Sequence, residues 1–202
     1  MRWGIVATLI FFSGFAFAAD KPWVHDEITS LSVNEASTLV RNAILGPPDN
    51  HNPIDLNNLR KLDATVAKVL AQNNDRLSLN KISRLSPGVA DALQGFSGNL
   101  HLLGLKVLST SDAKKLAKSR CTNLYVGIPR INSMQAKAFE LYNGFSINFS
   151  NVKTLSSDCA KHLTSYQCKM VYLPSLTSID KETLSIIKSD KRIDVPESLL
   201  DQ

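Results

Sequence analysis

The chain lacks the short motifs that usually announce chemistry. Its 202 residues contain no G-x-S-x-G, no H-E-x-x-H, no Walker-type glycine loop and no C-x-x-C. The usual sequence signs of a serine hydrolase, a zinc peptidase, a P-loop nucleotidase and a dithiol redox centre are therefore missing. Histidine is scarce, and His25, His51, His101 and His162 fall in different contexts. Cysteine is scarcer, with only Cys121, Cys159 and Cys168. Cys159 and His162 stand three apart on an expected helix, but no fourth ligand lies at a metal-like spacing. Cys159 also occupies the position that is Val66 and Val89 elsewhere, so it reads as a small core residue rather than a nucleophile. The expectation is a protein that is not an enzyme and uses no metal or other cofactor.

Long apolar runs are absent beyond the first 18 residues, and no later stretch approaches the roughly 20 apolar residues of a spanning helix. The start itself reads as a secretory signal peptide, residues 1–18. Arg2 supplies the positive n-region, Ile5 to Phe15 is mostly apolar, and Ala16-Phe17-Ala18 is an A-x-A cleavage pattern. Cleavage before Ala19 would leave a soluble, exported chain, periplasmic or secreted, with no membrane span. No cysteine follows closely enough to take a lipid. The formal net charge is +5, one less without Arg2. Basic residues such as Lys61, Lys68, Lys81, Lys114, Lys115 and Lys118 are scattered, mostly at helix and turn positions. A basic stripe for nucleic acid is not apparent, so nucleic acid is not an expected partner.

What the sequence does have is one apolar signature, repeated. Ile54-x-Leu56-x-x-Leu59-x-x-Leu62 recurs as Leu77, Leu79, Ile82, Leu85 and as Leu100, Leu102, Leu105, Leu108. The last apolar position of each unit falls at Leu62, Leu85, Leu108, Ile131, Leu155 and Ile179, in steps of 23, 23, 23, 24 and 24 residues. Each anchor is followed by a capping-type residue: Asp63, Ser86, Ser109, Asn132, Ser156 and Asp180. An alanine then recurs at Ala67, Ala90, Ala113, Ala136 and Ala160, with a larger apolar residue three places on. An N-cap before apolar residues three or four apart is a helix start, and Pro87 is expected at the first helical position of its unit. The apolar-x-apolar pair in front has the period of a strand. Each unit thus reads as strand, turn and short helix, too small to cover its own apolar face, so that stacking on neighbours is required.

This pattern resembles the leucine-rich repeat family, whose repeats of about 20–29 residues join a strand to a helix or 3₁₀ turn. Leu176-Thr177-Ser178-Ile179 is similar to the bacterial Leu-Thr-Ser-Leu-Ser-x-x-x-Ala-x-x-Leu kind. The resemblance implies an α/β solenoid, a leucine-rich repeat stack with parallel strands on one face and short helices on the other. It also implies a non-catalytic binding module. One departure is plain: where the commonest consensus has a turn-bonding asparagine, this chain has Leu59, Ile82, Leu105, Ile128, Val152 and Leu176.

Along the chain, residues 19–45 read as an N-terminal capping half-repeat, with Ile28, Leu31, Ala36 and Leu39 in register. Residues 46–53 read as a polar, proline-rich loop insertion, 54–187 as six repeats, and 188–202 as a C-terminal cap or tail in which Ile193-Asp194-Val195 could add a strand before Pro196. The unit from Leu124 is one residue short, at Gly127-Ile128-Pro129. Cys121 and Cys168 precede strands two units apart, a separation of roughly 10 Å, beyond the roughly 7 Å Cα limit for a bridge. Buried thiols are expected instead. The sequon Asn148-Phe149-Ser150 lies within an expected strand and reads as accidental.

The middle strand positions, Asp55, Ser78, His101, Tyr125, Asn148 and Tyr172, should line one face. Of these, Ser78, His101, Tyr125, Asn148 and Tyr172 are the expected partner-binding residues. Two tyrosines and several amides on a nearly uncharged surface suit recognition of another protein. The other reading is a passive, envelope-associated spacer.

Overall fold

A computed structural model describes residues 27–45 and 53–200. The expected signal peptide (1–18), Trp23, His25, His51 and the loop from Gly46 to Asn52 lie outside them. The apolar-x-apolar pairs form seven strands: β1 (Ile54–Asp55), β2 (Arg76–Ser78), β3 (Asn99–Leu102), β4 (Asn123–Val126), β5 (Ser146–Phe149), β6 (Met170–Tyr172) and β7 (Ile193–Asp194). All seven lie in one parallel sheet in chain order, each paired with its sequence neighbours. Ile54, Leu77, Leu100, Leu124, Ile147, Val171 and Ile193 stand in a single cross-strand row. Between the strands run α2 (Ala64–Leu70), α3 (Val89–Ala92), α4 (Thr110–Ala117), α5 (Ser133–Phe139), α6 (Ser157–Thr164) and α7 (Lys181–Ser189), preceded by α1 (Val33–Leu45). Each helix packs on the one before it. The fold is a repeat-like α/β arrangement of seven parallel strands alternating with helices.

The core follows from the repeat. Inward strand residues, the alanines at Ala67, Ala90, Ala113, Ala136 and Ala160, and the helix residues Leu70, Leu93, Leu116, Phe139 and Leu163 form one continuous buried cluster. Small alanines let each helix approach the sheet, and the larger residue one turn on fills the gap behind it. Leu59, Ile82, Leu105, Ile128, Val152 and Leu176 are buried in the same cluster.

Five of the six expected N-caps act as such. The side chains of Asp63, Ser109, Asn132, Ser156 and Asp180 each accept from the backbone N–H three residues on, and Asn132 with Gln135 forms a full capping box. The exception is Ser86. Val89 N–H donates to the Ser86 carbonyl at 3.2 Å, and Gly88 has φ 80°, ψ −12°. Proline second and a left-handed glycine third make a type II turn of Ser86–Val89, so Pro87 lies in that turn rather than in the helix. Helix α3 starts late and ends in a 3₁₀ turn at Leu93–Gly95.

The short unit is also resolved in detail. In other units the residue three after the last inward strand residue donates back to it, as Ile82 N–H does to the Leu79 carbonyl at 3.2 Å and Leu105 N–H to that of Leu102 at 3.2 Å. In the short unit, Gly127 N–H instead donates across to the Leu102 carbonyl at 3.0 Å. Asn151 of the following unit reaches back, its Nδ2 donating to the Gly127 carbonyl at 2.8 Å and to that of Leu103 at 3.3 Å.

Both ends are closed. Ile28 and Leu31 pack against the core ahead of α1, and Ser32 with Glu35 caps that helix. At the other end β7 pairs with β6, and a short α8 (Glu197–Leu200) buries Leu199. Arg192 bonds the carbonyls of Tyr166 at 2.6 Å and Thr164 at 2.7 Å while its own charge is met by Asp190. It thereby satisfies carbonyls at the end of α6 that the helix leaves open.

The three cysteines are buried and unbridged. Cys121 Sγ is 2.9 Å from Ser119 Oγ, and Cys159 Sγ donates to the Ile131 carbonyl at 3.4 Å. Burial pushes the Cys121 and Cys168 thiols above their ordinary pKa, so they are poor nucleophiles. Alkylation after unfolding without reductant should therefore label three thiols per chain, counted by intact mass spectrometry. A count of one would reveal an intramolecular disulfide and contradict the placement of Cys121 and Cys168 two strands apart.

Candidate functional site

Strand alternation turns the residue between each inward pair outward, and the register brings these residues into one row. Asp55, Ser78, His101, Tyr125, Asn148 and Tyr172 stand side by side across β1 to β6, and Asp194 of β7 extends the row. At one end Arg76 grips Asp55 with both ends of its guanidinium, Nε to Oδ1 at 3.1 Å and Nη2 to Oδ2 at 2.6 Å. Burial pushes the Asp55 carboxyl up, but bonds from Arg76 and Ser78 and the charges of Arg76 and His101 outweigh it, and its pKa falls below the ordinary value. The pair is thus a neutralised end to the row. Next to it, the His101 and Tyr125 rings lie 4.2 Å apart between centroids at 34°. Burial lowers the His101 pKa, the Arg76 charge lowers it further and Asp55 opposes, so the imidazole is neutral at pH 7. Asn148 accepts from its neighbour Ser150 Oγ at 2.7 Å.

Four of the five expected contact residues, His101, Tyr125, Asn148 and Tyr172, are half-exposed on this face. Ser78 is not available: it is only 3% exposed. Its short side chain lies between Asp55 and His101 in the register and bonds the Asp55 carboxylate. It supports the neutralised end of the row and offers no contact area.

Hydrogen-bonded ladders flank the row; the repeat period places Asn99, Asn123 and Ser146 on one side of it and Asn57 and Asn80 on the other, but the bonds between them are not legible in the sequence. On the upstream side Asn123 Nδ2 donates to Asn99 Oδ1 at 2.6 Å, and Ser146 Oγ donates to Asn123 Oδ1 at 2.6 Å. On the downstream side Asn80 Nδ2 donates to Asn57 Oδ1 at 2.8 Å, and Asn80 Oδ1 accepts from Leu103 N–H at 3.1 Å. The available signal was an amide recurring at one strand offset in successive units. Also missed was Phe145, 49% exposed beside β5, with Lys169 Nζ 5.7 Å from its ring centre. Its carbonyl accepts from Met170 N–H at 3.2 Å.

Cys159 and His162, the pair considered from the sequence as a metal or nucleophile site, do not lie on this face. Cys159 faces the Ile131 carbonyl, while His162 Nδ1 lies 2.6 Å from Glu140 Oε1 on the helical side. Among the described residues no three His, Cys, Asp or Glu side chains come together in a way that could hold a metal ion. No helix among them is long and apolar enough to cross a membrane. The face presents one tilted pair of aromatic rings, His101 and Tyr125, amides already bonded to one another, and charge at its ends.

The class that the fold and this face define is a parallel, repeat-like α/β protein with an ordered aromatic and amide strand surface. Compared with protein-family models and with curated proteins, the chain matches none.

Proposed function

We propose that the chain is an exported, non-catalytic protein of the leucine-rich repeat type, a solenoid whose strand face binds another protein. The observation that carries this reading is the row of His101, Tyr125, Asn148 and Tyr172, half-exposed and in register on a surface with charge at its ends. Tyrosine supplies contact area at low entropy cost together with a hydroxyl, and the amide ladders hold the backbone beneath it, so little ordering remains to be done on binding. The fitting partner presents a weakly charged, largely apolar ridge. Export is supported by the signal pattern of residues 1–18, and the repeat assignment by the 23/24-residue period and the parallel strand row.

The test compares capture of one co-purifying partner by three forms of the protein. Replacing His101, Tyr125 and Tyr172 together by alanine should weaken binding by at least about 3 kcal/mol, more than a hundredfold, because centrally placed aromatics dominate such interfaces. The fold should be unchanged, since these side chains lie outside the core. Replacing Lys114, Lys115 and Lys118 on the helical side should alter salt dependence and little else. Unchanged binding by the aromatic variant, or loss with the lysine variant alone, would move the site to the helices. A protein with no partner at all would fit the passive spacer instead.

A further inference from the structure

The flank of the molecule between each strand and the helix that follows it carries charge of one sign only. Residues 57–62, 80–85, 103–108, 127–131, 150–155 and 174–179 include no aspartate or glutamate. The first two units contribute Arg60, Lys61, Lys81 and Arg84. Lys106, Arg130 and Lys153 carry the series through the next three, and all seven side chains are exposed. The flank is a continuous surface. Lys106 N–H bonds the Ser83 carbonyl at 2.9 Å, Thr177 N–H bonds that of Lys153 at 2.9 Å, and Thr154 and Ser178 form a parallel bridge. With neighbouring units about 4.8 Å apart, the cations extend over roughly 20 Å.

Among the described residues, none of the seven takes part in an ion pair. The helical side differs, for Lys115 pairs with Asp91 and Lys161 with Glu182. Of the carboxylates next to the flank, Asp63, Asp112 and Asp180 are engaged at the starts of their own helices. Like charges held side by side destabilise a fold. A row of them without counter-charges is matched by an anionic surface outside the molecule.

We propose that this flank rests on an anionic phospholipid surface. It is independent of the strand-face reading, and both faces could be occupied together. Two observations select lipid over nucleic acid. The flank segments contain no aromatic side chain on which a base could stack. Two exposed apolar side chains also lie in or just beyond these segments: Val107, 51% exposed between Lys106 and Leu108, and Met134, 68% exposed in the first turn of α5, four residues after Arg130. Cations with exposed apolar side chains between them are how a peripheral protein holds an anionic bilayer at its interface.

The test is co-sedimentation of the purified, exported protein with vesicles of phosphatidylcholine alone or mixed with phosphatidylglycerol. Binding should require phosphatidylglycerol and fall as salt screens the charges. A basic residue near an anionic surface contributes about 1 kcal/mol, about fivefold. The combined variant Arg84→Ser, Lys106→Ser, Arg130→Ser and Lys153→Ser should therefore lose on the order of several hundredfold in partitioning while keeping its circular dichroism spectrum. Val107→Ser with Met134→Ser should lose about tenfold. The triple change of Lys114, Lys115 and Lys118 to serine should bind as the parent does. Equal binding to neutral vesicles, unchanged binding by either flank variant, or equal loss with the helical triple would overturn the proposal. Tighter binding to a single-stranded oligonucleotide than to the anionic vesicles at the same salt would also overturn it.

Discussion

Leu102→Asp is expected to abolish the cooperative thermal transition and the native far-UV circular dichroism of the protein. Leu102 is fully buried. It stands on β3 opposite Val126 of β4, in the middle of the sheet. A carboxylate there has no counter-charge, and burying one without a partner costs several kcal/mol, comparable with the whole stability of about 5–15 kcal/mol. The neighbouring change His101→Ser provides the contrast. One residue earlier the side chain turns to the open face, so melting should shift by only a few degrees, about 1 kcal/mol or less. If the two variants melted alike, the assignment of faces would be wrong.

Gly127→Ala should be, with Gly98→Ala, among the most damaging one-carbon additions in the middle of the sheet. A Cβ at Gly127 would lie 1.8 Å from the Leu103 carbonyl oxygen and 2.3 Å from its carbon, both backbone atoms. No flexible side chain can yield, so two units must move apart and the Asn151 bonds to the Gly127 and Leu103 carbonyls must stretch. A cost of about 3 kcal/mol or more is expected, which for a chain of this size lowers Tm by about 6–12 °C. Gly95→Ala is the control, because a Cβ there meets nothing within 4 Å. Equal melting temperatures for the two variants would contradict the shortened turn at Gly127.

Much of this fold is legible in the sequence because the repeat is an apolar pattern, and apolar pattern is what burial selects. The positions Leu77, Leu100, Leu124, Ile147 and Val171 read out the strand register directly. The capping residues Asp63, Ser109, Asn132, Ser156 and Asp180 mark helix starts, because few other side chains can accept from the first free amides. What escaped has a physical reason in each case. Ser86 looks like a cap, but Pro87-Gly88 stabilises a type II turn that competes with the helix start. The position three after the last helical core residue holds Asn73, Phe96, Ser119, Tyr142 and Tyr166, all buried, yet it shares no chemistry from unit to unit. In the fold, Tyr142 Oη lies within bonding distance of the Ser146 carbonyl at 2.9 Å and that of Thr122 at 3.0 Å.

The candidate site was legible as a row and illegible in its details. The middle strand positions fall side by side as the period implies, but the burial of Ser78 depends on the Arg76–Asp55 pair and on larger neighbours, which no single-residue pattern conveys. The basic flank was illegible for a different reason. Lys81 lies four residues before its anchor, Arg84 one before and Lys106 two before. Linear inspection therefore sees scattered lysines and arginines where the stacked units place them on one surface.

The most direct test of the strand face as the binding surface is site-specific photo-cross-linking. A benzophenone side chain would replace Tyr125 or Tyr172 on the strand face, or Lys114 or Lys137 on the helices, with the co-purifying partner present. The account predicts a covalent adduct with the partner from Tyr125 and Tyr172 and none from Lys114 or Lys137. Adducts from the helical positions, with none from the strand face, would contradict it.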